Sequence, residues 1–392
     1  MIQKKEPKET EFYTINEYGS VTLKENVKHY SDEEVIETNK KEYFKEAEAL
    51  KEIIADGHIP FPVFFRNLNG ELVEKTAYIP PTFEPSCMTG FEEKYGMKFN
   101  IYIPSYERYQ DTKTVKVLER FGVKNYYIAV DPTQYAKYKQ YHDPKHIIVR
   151  DPSFRDETMI DLVSSIKSPD YMHGTAGIYN FLLAFSRSIG ESHYWTLDDD
   201  FIGLAMKAKK GSETMAPGEI YNKFDYYRCS DIKEEYGFDY KDFMNSIENL
   251  AVKIRNPGFI GLEKFGIVFS LPVMWKLGTR VYSYYLSSTK TQINHLGQHN
   301  NDVITSLELS KHGLINMLFE GISYNSEATQ TGGGLTEVYK KFGTLDKGKV
   351  LARAQPNYAK ITVTYNRVHH KVDYTSYNGQ RAVGAPIEES ND

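Results

Sequence analysis

Between residues 98 and 200 the chain alternates short runs of β-branched and aromatic residues with longer amphipathic stretches. Residues 99–103, 126–130 and 146–149 and the run beginning at His193 read as strands, and residues 113–121, 133–141 and 175–189 as the helices between them. Strands separated by helices are too far apart in the chain to close as hairpins, so they pair in parallel, with the helices covering both faces of the sheet. The expected class is α/β, with a Rossmann-like mixed sheet flanked by helices.

In such sheets ligands bind beyond the carboxyl ends of the strands, and there the sequence changes character. Pro104, Ser105, Tyr106, Glu107 and Arg108 follow the first strand, Asp131 and Pro132 the second, Arg150 and Asp151 the third, and Asp198, Asp199 and Asp200 the fourth. The triplet is the sharpest of these. Side chains alternate across a strand, which puts Asp198 and Asp200 on one face and Asp199 on the other. Two carboxylates on one face suit Mg²⁺ or Mn²⁺, with water and substrate phosphates filling the remaining positions. A solvated acidic turn accounts for the triplet taken alone. The convergence of four strand ends on polar groups favours a site.

With 392 residues, 40% hydrophobic and 26% charged, the chain is long enough for a large core in one to three domains. No segment has the apolar length of a membrane span, and the first residues lack a signal-peptide apolar region, so a cytoplasmic location is expected. Cys87 and Cys229 are too few for a disulfide framework or a cysteine-based zinc site. The 31 tyrosines supply rings able to stack on sugars or bases, though most serve packing. Residues 1–60 hold nine Lys and fourteen acids, which accounts for the whole net charge of -5. Between residues 338 and 371 the balance reverses: Lys340, Lys341, Lys347, Lys349, Arg353, Lys360, Arg367 and Lys371 face one acid, Asp346. That block is a candidate polyanion surface or, equally, a solvated face.

Residues 1–96 read as an N-terminal elaboration, with a helix over 32–54 and a hairpin joining Val63, Phe64 and Phe65 to Leu72 and Val73. Asn301 and Asp302 precede a helix over 303–312, where Asp302 serves equally well as a helix cap or as a functional acid. Residues 363–370 form a strand-like run ending in His369 and His370.

This ordering resembles the GT-A glycosyltransferases, which bind a nucleotide sugar across a Rossmann-like sheet and hold its diphosphate through a metal on an Asp-x-Asp motif. The resemblance rests on residues 103–108, Asp131, and Leu197 with the triplet after the helix that contains Asn180. It implies a UDP-sugar donor pocket lined by Pro104, Ser105, Arg108, Asp131, Gly174, Asn180 and Asp199, and a Mn²⁺ or Mg²⁺ on Asp198 and Asp200, completed by His370. It further implies that Asp302 is the catalytic base, although Asn301 stands where the family's acidic motif has Glu. Residues 97–210 would then be the donor-binding half, 211–375 the acceptor-binding half and 376–392 a flexible tail.

Residues 99–108, taken with 329–335 (which include Gly332, Gly333 and Gly334) and 345–347, are similar to the TET/JBP-associated glycosyltransferases of bacteriophages and of base J synthesis. That resemblance implies transfer of a sugar to 5-hydroxymethylpyrimidines in DNA, with inversion, in the host cytoplasm if the chain is phage-encoded. Lys340, Lys341, Lys347, Lys349 and Arg353 would contact DNA phosphates, and Tyr339, Tyr358, Tyr365 or Tyr374 would stack on an extruded base. The rival readings are a GT-A enzyme with a protein, glycan or small-molecule acceptor, an inactive nucleic-acid-binding module, and a nucleotidyltransferase.

Overall fold

A computed structural model of the chain describes residues 8–9, 13–15, 21–23, 31–67, 70–152, 154, 175–209, 224–228, 239–265, 275–291, 293–297, 299–327, 345–364 and 367–373. Strands β1 (Lys8–Glu9), β2 (Tyr13–Ile15) and β3 (Val21–Leu23) form a small antiparallel sheet. Helix α1 (Asp32–Ala55) begins at a capping box in which the Ser31 hydroxyl accepts from the Glu34 amide and the Glu34 carboxylate accepts from the Ser31 amide. Next come β4 (Ile59–Arg66), β5 (Leu72–Ile79) and α2 (Phe91–Tyr95).

The expected alternation follows as β6 (Ile101–Pro104), α3 (Lys113–Arg120), β7 (Tyr126–Val130), α4 (Pro132–Tyr138), β8 (Ile147–Val149), α5 (Ala176–Ser188) and β9 (His193–Leu197). The second half runs β10 (Phe201–Lys209), β11 (Phe224–Arg228), α6 (Tyr240–Ala251), β12 (Pro257–Lys264), β13 (Trp275–Leu277), β14 (Tyr284–Ser288), α7 (Asn301–Lys311) and β15 (Ile315–Ser326). Helix α8 (Leu345–Ala354) and the hairpin β16 (Ala359–Thr364) and β17 (Arg367–Val372) complete it.

Twelve strands join in one mixed sheet, ordered β11-β10-β15-β12-β14-β9-β6-β7-β8-β5-β4, with β13 on β15. Strands β8, β7, β6 and β9 are mutually parallel, and the flanking strands are mostly antiparallel. Strand alternation sorts the core. Ile101, Ile103, Ile128, Val130, Trp195 and Leu197 pack towards α3, α4 and α6, while Tyr102, Tyr127, Ala129, Ile148 and Tyr194 pack towards Phe181, Leu182 and Phe185 of α5. The order β8-β7-β6-β9 reverses direction at β6: the chain builds outward from β6 to β8, then returns to lay β9 on its other side. That reversal opens a crevice at the carboxyl ends of β6 and β9.

Two local expectations differ from the structure. Residues 363–370 are split between β16 and β17, which pair antiparallel, Val363 with Val368 and Thr364 with Arg367. The hairpin expected within the N-terminal elaboration forms, and it extends the main sheet: β5 pairs with β8 at Tyr78 and Val149. No described helix is long and apolar enough to cross a membrane.

Candidate active site

The crevice between β6 and β9 is lined by the segment after β6 and the acidic triplet after β9. Strand β9 ends at Leu197, so the three aspartates occupy the turn into β10 instead of continuing the strand. Thr114, in the first turn of α3, fixes that turn: its hydroxyl donates to the Asp198 carbonyl and accepts from the Phe201 amide at 3.1 Å. From the other side the Asp198 amide donates to the Ser283 carbonyl at 2.8 Å, and the Glu327 amide donates to the Asp200 carbonyl at 3.1 Å.

The three carboxylates diverge. Asp199 turns towards the segment after β6, accepting from Ser105 Oγ at 2.5 Å and from Arg108 Nη1 at 2.6 Å. Tyr138 of α4 supports both partners, its hydroxyl lying 2.6 Å from Ser105 Oγ and accepting from the Arg108 amide at 3.2 Å. Asp200 Oδ2 lies 3.6 Å from Arg108 Nη1, so one guanidinium spans two carboxylates. Asp198 turns the other way and accepts from the Tyr179 hydroxyl at 2.5 Å.

Burial pushes the proton affinity of every member up. Asp199 rises to about 6, burial outweighing the opposing charge of Arg108. Asp198 also rises, through burial and the nearby charges of Asp199 and Asp302, against hydrogen bonds from Ser283 and Tyr179. Asp200 is raised by burial and by Asp198, with Arg108 and Lys264 opposing. Asp302 is raised chiefly by burial, and Lys347 and Arg280 counter it.

Asp302 thus lies near enough to Asp198 for the two charges to repel, and both charges raise the proton affinity of the Tyr179 and Tyr285 hydroxyls. The cap of α7 is Asn300, held in the left-handed region at φ 54°, and Asp302 sits in the first turn, accepting from the Val303 amide at 2.8 Å. Asn300 Nδ2 donates to the Lys347 carbonyl at 2.6 Å, which seats the start of α8 beside this turn.

Other expected residues take different places. Asp131 pairs with the buried Arg150 at the ends of β7 and β8. Asn180 is fully buried, and both ends of its amide go to the His295 backbone, at 2.9 Å and 2.7 Å, so it is a clamp between segments instead of a pocket-lining group. Half-buried His370 shares Lys347 and Arg280 as neighbours with Asp302; burial and those charges lower its proton affinity to about 4. Asp198, Asp200 and His370 do not close on one point: among the described residues, no group of three or more His, Cys, Asp or Glu side chains is close enough to hold a metal ion. Lys349 and exposed Arg353 lie along α8. Gly174, Lys340, Lys341, Tyr339, Tyr365, Tyr374, residues 329–335 and the tail 376–392 lie outside the described residues.

Thr114, Tyr138, Tyr179 and Ser283 hold the functional groups yet carry no motif. Their sequence separations from the residues they hold, such as 84 for Thr114 and Asp198 or 33 for Tyr138 and Ser105, hide them from local pattern.

Comparison with curated proteins returns no match. Comparison with protein-family models does: residues 99–334, which run from the start of β6 past the end of β15 and include the triplet and Asp302, match the model of the TET-Associated Glycosyltransferases. The chain therefore belongs to that family and is a glycosyltransferase, using a nucleotide sugar as donor.

Proposed function

We propose that this glycosyltransferase moves a hexose or pentose from a uridine-type nucleotide sugar to 5-hydroxymethylpyrimidine bases in DNA, with inversion at the sugar carbon. The observation that carries the chemistry is the approach of Asp302 to the Asp198–Asp200 turn at the switch point of the sheet. Inversion needs a carboxylate that takes the acceptor hydroxyl's proton on the face opposite the departing diphosphate. Asp302 is the group for that task, fixed in the first turn of α7 and flanked by Lys347 and Arg280.

Asp198 and Asp200 fit a hard divalent cation: they are oxygen donors, Asp198 raises the proton affinity of Asp200, and Asp199 and Asp302 raise that of Asp198, a crowding of negative charge that a cation relieves. Mg²⁺ or Mn²⁺ bound there, its remaining positions filled by water and diphosphate, would offset the charge that develops on the leaving group. Arg108, through Asp199, keeps the Ser105 loop closed against the triplet, so the loop and the acids form one wall of the donor crevice.

The DNA acceptor is supported by the basic helix α8, which carries Lys347, Lys349 and Arg353 and starts beside Asp302. Phosphate contacts there would give salt-dependent affinity without reading sequence. The test is a mass-spectrometric transfer assay with Mn²⁺, a panel of nucleotide sugars, and DNA with and without 5-hydroxymethylcytosine. A sugar mass increment on the modified nucleoside alone is expected. Release of nucleoside diphosphate without that increment would reject the DNA acceptor and favour a protein, glycan or small-molecule one.

A further inference from the structure

Of the three aspartates, Asp199 has a cation for a partner and Asp198 does not. Among the described residues, no Lys or Arg forms an ion pair with Asp198; its carboxylate accepts instead from the neutral Tyr179 hydroxyl at 2.5 Å, and its amide donates to the Ser283 carbonyl at 2.8 Å. Neutral donors can fix a carboxylate's orientation without cancelling its charge.

Both holders are themselves locked. The Tyr179 ring stacks on His295, with centroids 5.1 Å apart and planes at 23°, and His295 stacks in turn on Phe259 at 5.7 Å. The His295 backbone is gripped at both polar atoms by Asn180, the next residue after Tyr179 on α5, and its ring Nδ1 lies 3.3 Å from Thr305 Oγ1. Tyr179 is therefore braced between α5 and α7. Ser283 has φ 44°, a left-handed conformation that is unfavourable for a side-chain-bearing residue and persists where the surroundings enforce it. That conformation places the Ser283 carbonyl where it accepts the Asp198 amide.

We infer that Tyr179 and Ser283 are positioning residues for Asp198: they set its carboxylate for a divalent cation while leaving its negative charge uncancelled. The inference rests on the proposed metal role of Asp198.

Tyr179→Phe keeps the ring and its stack and removes the hydroxyl on the carboxylate, whereas Ser283→Ala keeps the carbonyl that holds the Asp198 amide. Mn²⁺ binding is followed by electron paramagnetic resonance, with Mn²⁺ alone and with added UDP, beside wild type and Asp198→Asn. Tyr179→Phe should weaken Mn²⁺ binding about tenfold, the lower end of what losing an outer hydrogen bond to a metal ligand costs. The Mn²⁺ concentration for half-maximal transfer should rise by the same factor with little change in the thermal midpoint. Ser283→Ala should do less. Wild-type Mn²⁺ affinity in both single variants, with binding lost in Asp198→Asn, would overturn the positioning role alone. Equal Mn²⁺ binding by wild type and Asp198→Asn would overturn the metal reading and this inference together.

Discussion

The two ends of the parallel strands bury carboxylates in opposite ways. At the amino end, Glu191 accepts from the Ser86 amide at 3.0 Å, Asn100 Nδ2 at 2.8 Å and the Tyr102 hydroxyl at 3.0 Å. Glu248 accepts from Trp195 Nε1 and the Lys98 amide, both at 2.7 Å. Each acid there is ringed by donors: Glu191 ties together the segments that precede β6 and β9, and Glu248 ties α6 to Lys98 and to Trp195 of β9. At the carboxyl end, Asp198, Asp199, Asp200 and Asp302 crowd one another, and the nearby cations offset only part of their charge. Satisfied acids fasten the sheet; crowded acids keep negative charge for whatever the crevice binds.

If that contrast is right, substitutions at the two ends should fail differently. Asp198→Asn and Asp302→Asn should each lower turnover by about 10³-fold, the scale of a lost acid or base, while the thermal midpoint holds or rises as repulsion is relieved. A fall in stability with activity retained would make the two ends alike. Glu191→Ala should do the reverse, costing about 3 kcal/mol in denaturant unfolding because buried donors lose their acceptor; turnover per folded molecule should stay near wild type.

Glu248 sharpens the contrast through pH. Burial pushes its carboxyl up to about 7 despite its donors, so the folded state holds a proton that the unfolded chain releases at lower pH. Its stabilising contribution is complete below the unfolded value and is lost as pH rises to about 7. Wild type should therefore lose about 2 kcal/mol relative to Glu248→Gln between pH 5 and pH 8, since one pKa unit is worth about 1.4 kcal/mol. A parallel pair of stability curves would mean that Glu248 takes up no proton on folding. Smallest is Thr114→Val, which leaves the carboxylates intact and loosens the turn that carries them. About 1 kcal/mol of stability and about tenfold in turnover should be lost; unchanged turnover would mean that the turn holds its shape without this hydroxyl.

Much of the frame was legible in the chain, because it follows from short-range periodicity. Residues 126–130 form the expected strand without shift, and the helices after β6, β7 and β8 lie within a few residues of expectation. Ser105, Arg108 and the triplet were legible because a parallel sheet gathers its strand ends. Local pattern misled where two elements follow each other closely: residues 363–370 read as one run, yet they belong to two strands that pair with each other. It misled again at α7, where Asn300 takes the cap by adopting a left-handed backbone that composition does not announce. Asn180 and His370 were assigned by resemblance, and the contacts that define them come from segments 115 residues away for Asn180 and 23 residues away for His370, at Lys347.

The β4–β5 hairpin bears on how small a working version of this enzyme can be made. The family match begins at residue 99, yet Val63, Phe65, Ala77 and Ile79 of that hairpin are buried against the same layer as Phe154 and Phe185. The Ser86 amide and the Glu84 carbonyl also complete the amino-end network on Glu191 and Asn100. A truncation to the matched region would strip β8 of its outer neighbour and leave a bare strand edge, a template for aggregation. The minimal folding unit therefore starts upstream of the family boundary, at or before residue 59.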